Sequence, residues 1–194
     1  SSDWSSDVCS SDLEDWTPLD AAIDRLPEYH WIIFTSVNGV RFFFQRLREK
    51  GRDVRALHSL KTAVIGPATR DRLAQEGLNS DIVPESFRAE SVVAAFAEED
   101  VKGKRVLLPR AEEARPVLPV ELRKMGAEVD EVTAYVTRQD KTNADALVAG
   151  LMEGTIDLVT FTSSSTVKNF KALLPPDADL ERVMKTVRVA SIGP

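Results

Sequence analysis

The chain states one pattern twice, and that repeat constrains its fold more than any other feature. Residues 31–47 read WIIFTSVNGVRFFFQRL, and residues 157–174 read DLVTFTSSSTVKNFKALL. Each is an apolar run ending in Phe-Thr-Ser, then a polar turn, then an amphipathic helical stretch. Each is followed by a run ending in Ile-Gly-Pro: TAVIGPATR at 62–70 and VRVASIGP at 187–194. Thr35 stands 31 residues before Gly66, and Thr162 stands 31 before Gly193. Matched motifs at equal spacing predict two copies of one α/β unit, with the chemistry where the copies face each other.

Between and around the repeats, short apolar runs alternate with helical patterns. Thr17-Pro18-Leu19-Asp20 opens a helix, with Thr17 as its cap and Pro18 at its first position. Trp31–Thr35 is a nearly continuous apolar run, as in a strand buried on both faces. A helix over 38–49 follows, with Val40, Phe43, Phe44 and Leu47 as its apolar stripe. Strands are expected at 62–65, 81–83, 104–108, 128–137, 156–161 and 187–192. Helices are expected at 68–76, 90–98, about 115–124, 144–152 and after residue 162. Strands alternating with helices of this length predict a parallel, doubly wound sheet.

Composition excludes several classes. No apolar run approaches the roughly 20 residues that span a bilayer, so no membrane helix is expected. The single cysteine, Cys9, forms no internal disulfide, which fits a reducing cytosol, and a cytoplasmic protein is expected. His30 and His58 have no ligand-like spacing, and no metal site is expected. Residues 1–13, SSDWSSDVCSSDL, hold three Asp and no Lys or Arg, so the rest of the chain carries −3 of the formal −6. A mildly acidic chain argues against a nucleic-acid partner. Those thirteen residues show no apolar period and read as a non-native or disordered tail. Val8–Leu13 is also what the end of a sequencing adapter encodes. No Gly-x-Gly-x-x-Gly or Walker loop follows a strand, and Ser163-Ser164-Ser165 is not a nucleophile elbow.

Seven segments in order carry a family resemblance: WIIFTSVNGV, AVIGPATRDRLAQEGL, IVPESFRAESVVAAF, GKRVLLPR, GAEVDEVTAYVTR, DLVTFTSSSTV and VASIGP. Over residues 14–194 the chain resembles the uroporphyrinogen-III synthase family. The resemblance implies an α/β fold of two flavodoxin-like parallel-sheet domains joined by extended linkers. Residues 14–137 would be a continuous domain with flanking linker segments, and 138–194 a partial second domain. The second copy lacks a counterpart of Gly103–Tyr135, and the last strand stops at Gly193-Pro194. Truncation at both ends is therefore expected, with a chain inactive or unstable by itself.

The resemblance also implies the reaction. The family cyclises hydroxymethylbilane, a linear tetrapyrrole, to uroporphyrinogen III with loss of water and inversion of ring D, using no metal or organic cofactor. Its substrate is a small molecule bearing eight carboxylates, and the chain is expected to act as a monomer. Two other classes stay open on the residues alone. One is a non-catalytic tetrapyrrole-binding or sensory module of the same fold, and the other is a phosphate- or flavin-binding domain using the Ser/Thr loop at 35–38.

In a parallel sheet, ligands bind at the carboxyl ends of strands, where helices begin and backbone N–H groups favour anions. Ser36, Asn38, Thr69, Ser163 and Ser165 stand at such ends, as substrate-binding groups or as simple helix caps. Arg88 and Arg110, expected in strand-end loops, suit substrate carboxylates, or else are solvated surface arginines. The resemblance matches Tyr135 to a tyrosine near the family's cleft, where a phenol can act on the departing hydroxyl. The alternative is a strand tyrosine packing its ring. Arg188 matches a basic position before the second Gly-Pro motif.

Overall fold

The structure is a computed structural model and describes residues 7–10, 13–86, 88–139, 144–161, 164–174 and 187–191. Its elements, in chain order, are β1 (Asp7–Ser10), α1 (Thr17–Asp24), β2 (Trp31–Phe34), α2 (Val37–Glu49), β3 (Lys61–Val64), α3 (Pro67–Gln75), α4 (Ala89–Phe96), β4 (Arg105–Ala111), α5 (Val117–Lys124), β5 (Glu128–Gln139), α6 (Ala144–Met152), β6 (Leu158–Phe161), α7 (Ser164–Leu173) and β7 (Arg188–Ser191). The chain divides into two compact units, Cys9–Val136 and Ser1–Val8 with Thr137–Pro194.

The larger unit is built on a sheet of order β1-β5-β4-β2-β3. β2 runs parallel to β3 and to β4, and β4 runs parallel to β5. All four side chains of β2 are buried, as its unbroken apolar run requires. Strand parity sends them to opposite faces. Ile32 and Phe34 join a core with Leu19 and Ile23 of α1, Val40, Phe43 and Leu47 of α2, and Leu73 of α3. Trp31 and Ile33 join the other core with Val92 and Phe96 of α4, and Leu118 and Leu122 of α5. Helices cover both faces of the sheet, so the doubly wound arrangement is present.

Three local readings need correction. The segment at 81–83 is a single bridge, Ile82 to Ala63, because its neighbours are spent elsewhere. Asp81 Oδ2 accepts the Thr62 N–H at 2.7 Å, and the Thr62 hydroxyl donates to Asn79 O at 2.9 Å. The cap of α1 is Trp16, and Thr17 is the first helical residue, its N–H held by Asp15 Oδ1 at 2.8 Å. β4 continues three residues past its expected end, through Pro109 and Arg110 to Ala111. Pro109 is tolerated because pairing to β2 ends at Leu107, leaving an edge where a missing N–H breaks no ladder bond.

Of the tail expected to be non-native or disordered, Asp7–Ser10 forms a strand beside β5, and residues 1–6, 11 and 12 lie outside the described residues. Pairing of this kind uses backbone groups, so the absence of an apolar period in the tail did not reveal it. The smaller unit holds a parallel pair, β6 with β7. Leu151 of α6 and Phe170 and Leu174 at the end of α7 pack with Val187 into its core.

Candidate functional site

In Cys9–Val136 the carboxyl ends of β2, β3 and β4 lead into Ser36, Gly66 and the loop at 112–116. Ser36 has extended backbone and caps α2, its Oγ accepting the Gly39 N–H at 2.9 Å. That hydroxyl also lies 3.0 Å from the Tyr135 hydroxyl of β5. The two residues stand 99 positions apart in sequence. Tyr135 is buried, and its ring stacks on Phe42 at a centroid distance of 5.5 Å. Phe42 is thus both a core residue of α2 and the surface that orients the phenol. Gly39 completes the arrangement by its size. A Cβ there would stand 3.2 Å from Ser36 Oγ and 3.3 Å from the Pro109 carbonyl oxygen.

The remaining expected residues divide by position. Asn38 is half-buried in the first turn of α2. Thr69 is in the first turn of α3, but it is buried, and the cap of that helix is Gly66. Arg88 is exposed at the cap position of α4. Arg188 is exposed at the amino end of β7, away from that strand's carboxyl end. Ser163 lies outside the described residues, and for Ser165 in α7 the backbone alone is described.

Arg110 is not in a loop. It is a buried residue of β4 whose Nη1 donates to Glu131 Oε2 at 2.9 Å, while Nη2 donates to the Arg115 carbonyl. Glu131 also pairs with Arg123 at 2.9 Å. A guanidinium so engaged braces β4, β5 and the loop before α5, and it is committed to that work. Its Nε is buried without a partner.

The amino end of the sheet has a different character. There Tyr29 donates to Asp130 Oδ2 at 2.6 Å, and burial, reinforced by that carboxylate, pushes its hydroxyl far above the ordinary tyrosine range. An open hollow of about 430 Å³ at this end is lined by Pro27, Arg52, Arg55 and His58 among others. Its cations are taken: Arg52 pairs with Asp24 and Arg55 with Asp53. Of the two tyrosines, only Tyr135 stands beside a strand-end hydroxyl.

The uroporphyrinogen-III synthase HemD family model matches residues 9–194. The chain belongs to the uroporphyrinogen-III synthase family. It is 36% identical over 182 residues to a uroporphyrinogen-III synthase of Synechococcus elongatus, covering 92% of this chain and 68% of that protein. It is 42% identical over 173 residues to a relative from Methanothermobacter thermautotrophicus, covering 88% of this chain and 68% of the relative. Among solved structures, it is similar to a mutant uroporphyrinogen III synthase of Thermus thermophilus, with a TM-score of 0.66 at 16% identity over 97% of this chain and 73% of that one. The corresponding values for the Helicobacter pylori synthetase are 0.59 and 20%, over 97% and 76%. At such identities the two structures speak for the shared fold of parallel α/β sheets.

Family membership fits the chemistry of the site, where hydroxyls and helix starts collect at one edge. Among the described residues no group of three or more His, Cys, Asp or Glu is placed to hold a metal ion. Among them, too, no helix is long and apolar enough to cross a membrane.

Proposed function

We propose that the chain acts as a uroporphyrinogen-III synthase in tetrapyrrole biosynthesis, cyclising hydroxymethylbilane to uroporphyrinogen III with loss of water and inversion of ring D. The family match across residues 9–194 carries this reading. The two sheets correspond, in this reading, to two flavodoxin-like domains joined by extended segments.

The reaction needs the hydroxyl of the hydroxymethyl group to leave as water, its CH2 staying behind as the electrophilic carbon of an azafulvene that the far end of the tetrapyrrole attacks. Departure is eased by a hydroxyl that donates to the leaving oxygen. The donation to the leaving oxygen is assigned to the Ser36–Tyr135 pair, whose hydroxyls lie 3.0 Å apart. Phe42 fixes the phenol ring, and the Gly39 N–H fixes the serine oxygen, so the pair is oriented before substrate arrives. Asn38, the starts of α2 and α3, and Arg88 are assigned to substrate carboxylates.

The deciding experiment supplies hydroxymethylbilane to the purified chain and separates the uroporphyrin isomers after oxidation. Enzymatic closure gives the type III isomer, whereas closure without inversion gives type I. A chain that gives the product mixture of the enzyme-free control and also binds no uroporphyrin III would overturn the assignment.

A further inference from the structure

The arginines of Cys9–Val136 fall into two groups by position. Ten pair with carboxylates, as Arg46 does with Asp20 and Arg105 with Glu28. Arg41, Arg88 and Arg115 have no ion-pair partner among the described residues, and all three are exposed. They share one edge of the sheet. Arg41 is in the second turn of α2, Arg88 caps α4, and Arg115 ends the loop between β4 and α5. Acidic neighbours are at hand, with Glu90 two residues from Arg88 and Glu113 two from Arg115, yet neither pairs with them.

Two of the three are also held in place. The Arg41 guanidinium lies 5.1 Å from the centre of the Phe42 ring, which also stacks on the ring of Tyr135. Arg41 thus packs against the same ring that orients the Tyr135 phenol. The Arg115 carbonyl accepts from buried Arg110, which anchors its loop to β4 and β5. Guanidinium groups bind carboxylates in a forked geometry, and leaving them unpaired at one edge raises the local concentration of a polyanion.

We propose that Arg41, Arg88 and Arg115 form a cationic rim at the carboxyl edge of the larger sheet, which binds carboxylates of a polycarboxylate ligand, with Arg41 on the ring that orients the Tyr135 phenol. This rests on the functional reading above for the identity of the ligand. Arg110, the arginine that strand-end logic favours, supports the rim from beneath rather than joining it.

The test titrates the full chain with uroporphyrin III, a stable octacarboxylate, by fluorescence at low and high salt. The variant R41A/R88A/R115A raises Kd about fiftyfold at low salt, roughly three- to fivefold per arginine, and flattens the salt dependence. The control R55A/K102A/K104A removes the same charge from the opposite end of the sheet and stays within about twofold of the parent. Equal weakening in both variants would reduce the rim to a net-charge effect and overturn it, as would no weakening in either. The functional reading fails differently, through a parent chain that neither binds uroporphyrin III nor forms the type III isomer. Circular dichroism of each variant separates lost binding from lost fold.

Discussion

Ser36 Oγ and Tyr135 Oη lie 3.0 Å apart, although 99 residues separate them. The bond joins the cap of α2 to β5, so one hydroxyl serves both the helix and the proposed chemistry.

The double role separates two substitutions. Tyr135→Phe keeps the ring on Phe42 and leaves the Ser36 cap intact, so stability changes little while kcat falls about a hundredfold. Ser36→Ala loses the same hydroxyl contact and also the cap, about 1 kcal/mol of stability. Turnover and urea unfolding of the two variants side by side check this. Equal kcat in Tyr135→Phe and the parent would remove the phenol from the mechanism.

Gly39→Ala tests the close approach behind the pair. Alanine gains up to about 1 kcal/mol in helix propensity, less in a first turn. Against that, its Cβ meets the Pro109 carbonyl at 3.3 Å, and this oxygen is fixed in β4. Overpacking of that kind costs about 1–3 kcal/mol, so a net loss of about 1 kcal/mol is expected. The shifted Ser36 hydroxyl lowers kcat as well. A stabilised and fully active variant would show that the gap closes without strain.

Phe43 is fully buried, with edge-on contacts to Phe34 and Phe44 at 5.5 Å each. Phe43→Ala leaves a cavity between α2 and β2 and destabilises by about 3–5 kcal/mol. The midpoint of denaturant unfolding measures it, and a loss under 1 kcal/mol would mean that the two rings collapse into the space.

Asp20 accepts two hydrogen bonds from Arg46, at 2.7 and 2.6 Å, and these hold its carboxyl below the ordinary 3.8. A folded pKa below the unfolded value means that the unfolded state takes up the proton first as pH falls. The contribution is complete above about pH 4 and is lost as pH drops through the folded pKa. Asp20→Asn therefore costs about 1 kcal/mol at neutral pH and flattens the acid side of the stability curve. Parallel curves for parent and variant would contradict it.

Strands buried on both faces were the most legible part of the sequence. Trp31–Phe34 is apolar throughout because helices cover both faces of β2, as such a run in an interior parallel strand requires. Ser36 was legible for the same local reason, a hydroxyl between a strand and an amphipathic stretch. Arg110 was misplaced because Pro109 reads as a strand end, whereas here it stands where pairing to β2 has already ceased. Arg41 carried no signal of its own. On a helical pattern it is one more solvated arginine, and only the ring contact of Phe42 with Tyr135 gives it a location.

The sequence by itself determined the alternation of strand and helix, the repeat of Phe-Thr-Ser and Ile-Gly-Pro, and the family, since these are local patterns of apolar and turn-forming residues. The tertiary structure alone decided which side chains meet. Tyr135 belongs beside Ser36 only once β5 has been placed against β4 and α2 packed over the sheet. Whether an arginine is committed or available depends on carboxylates brought near by folding, and this is why Arg110 is bound to Glu131 while Arg41 and Arg115 have no ion-pair partner among the described residues.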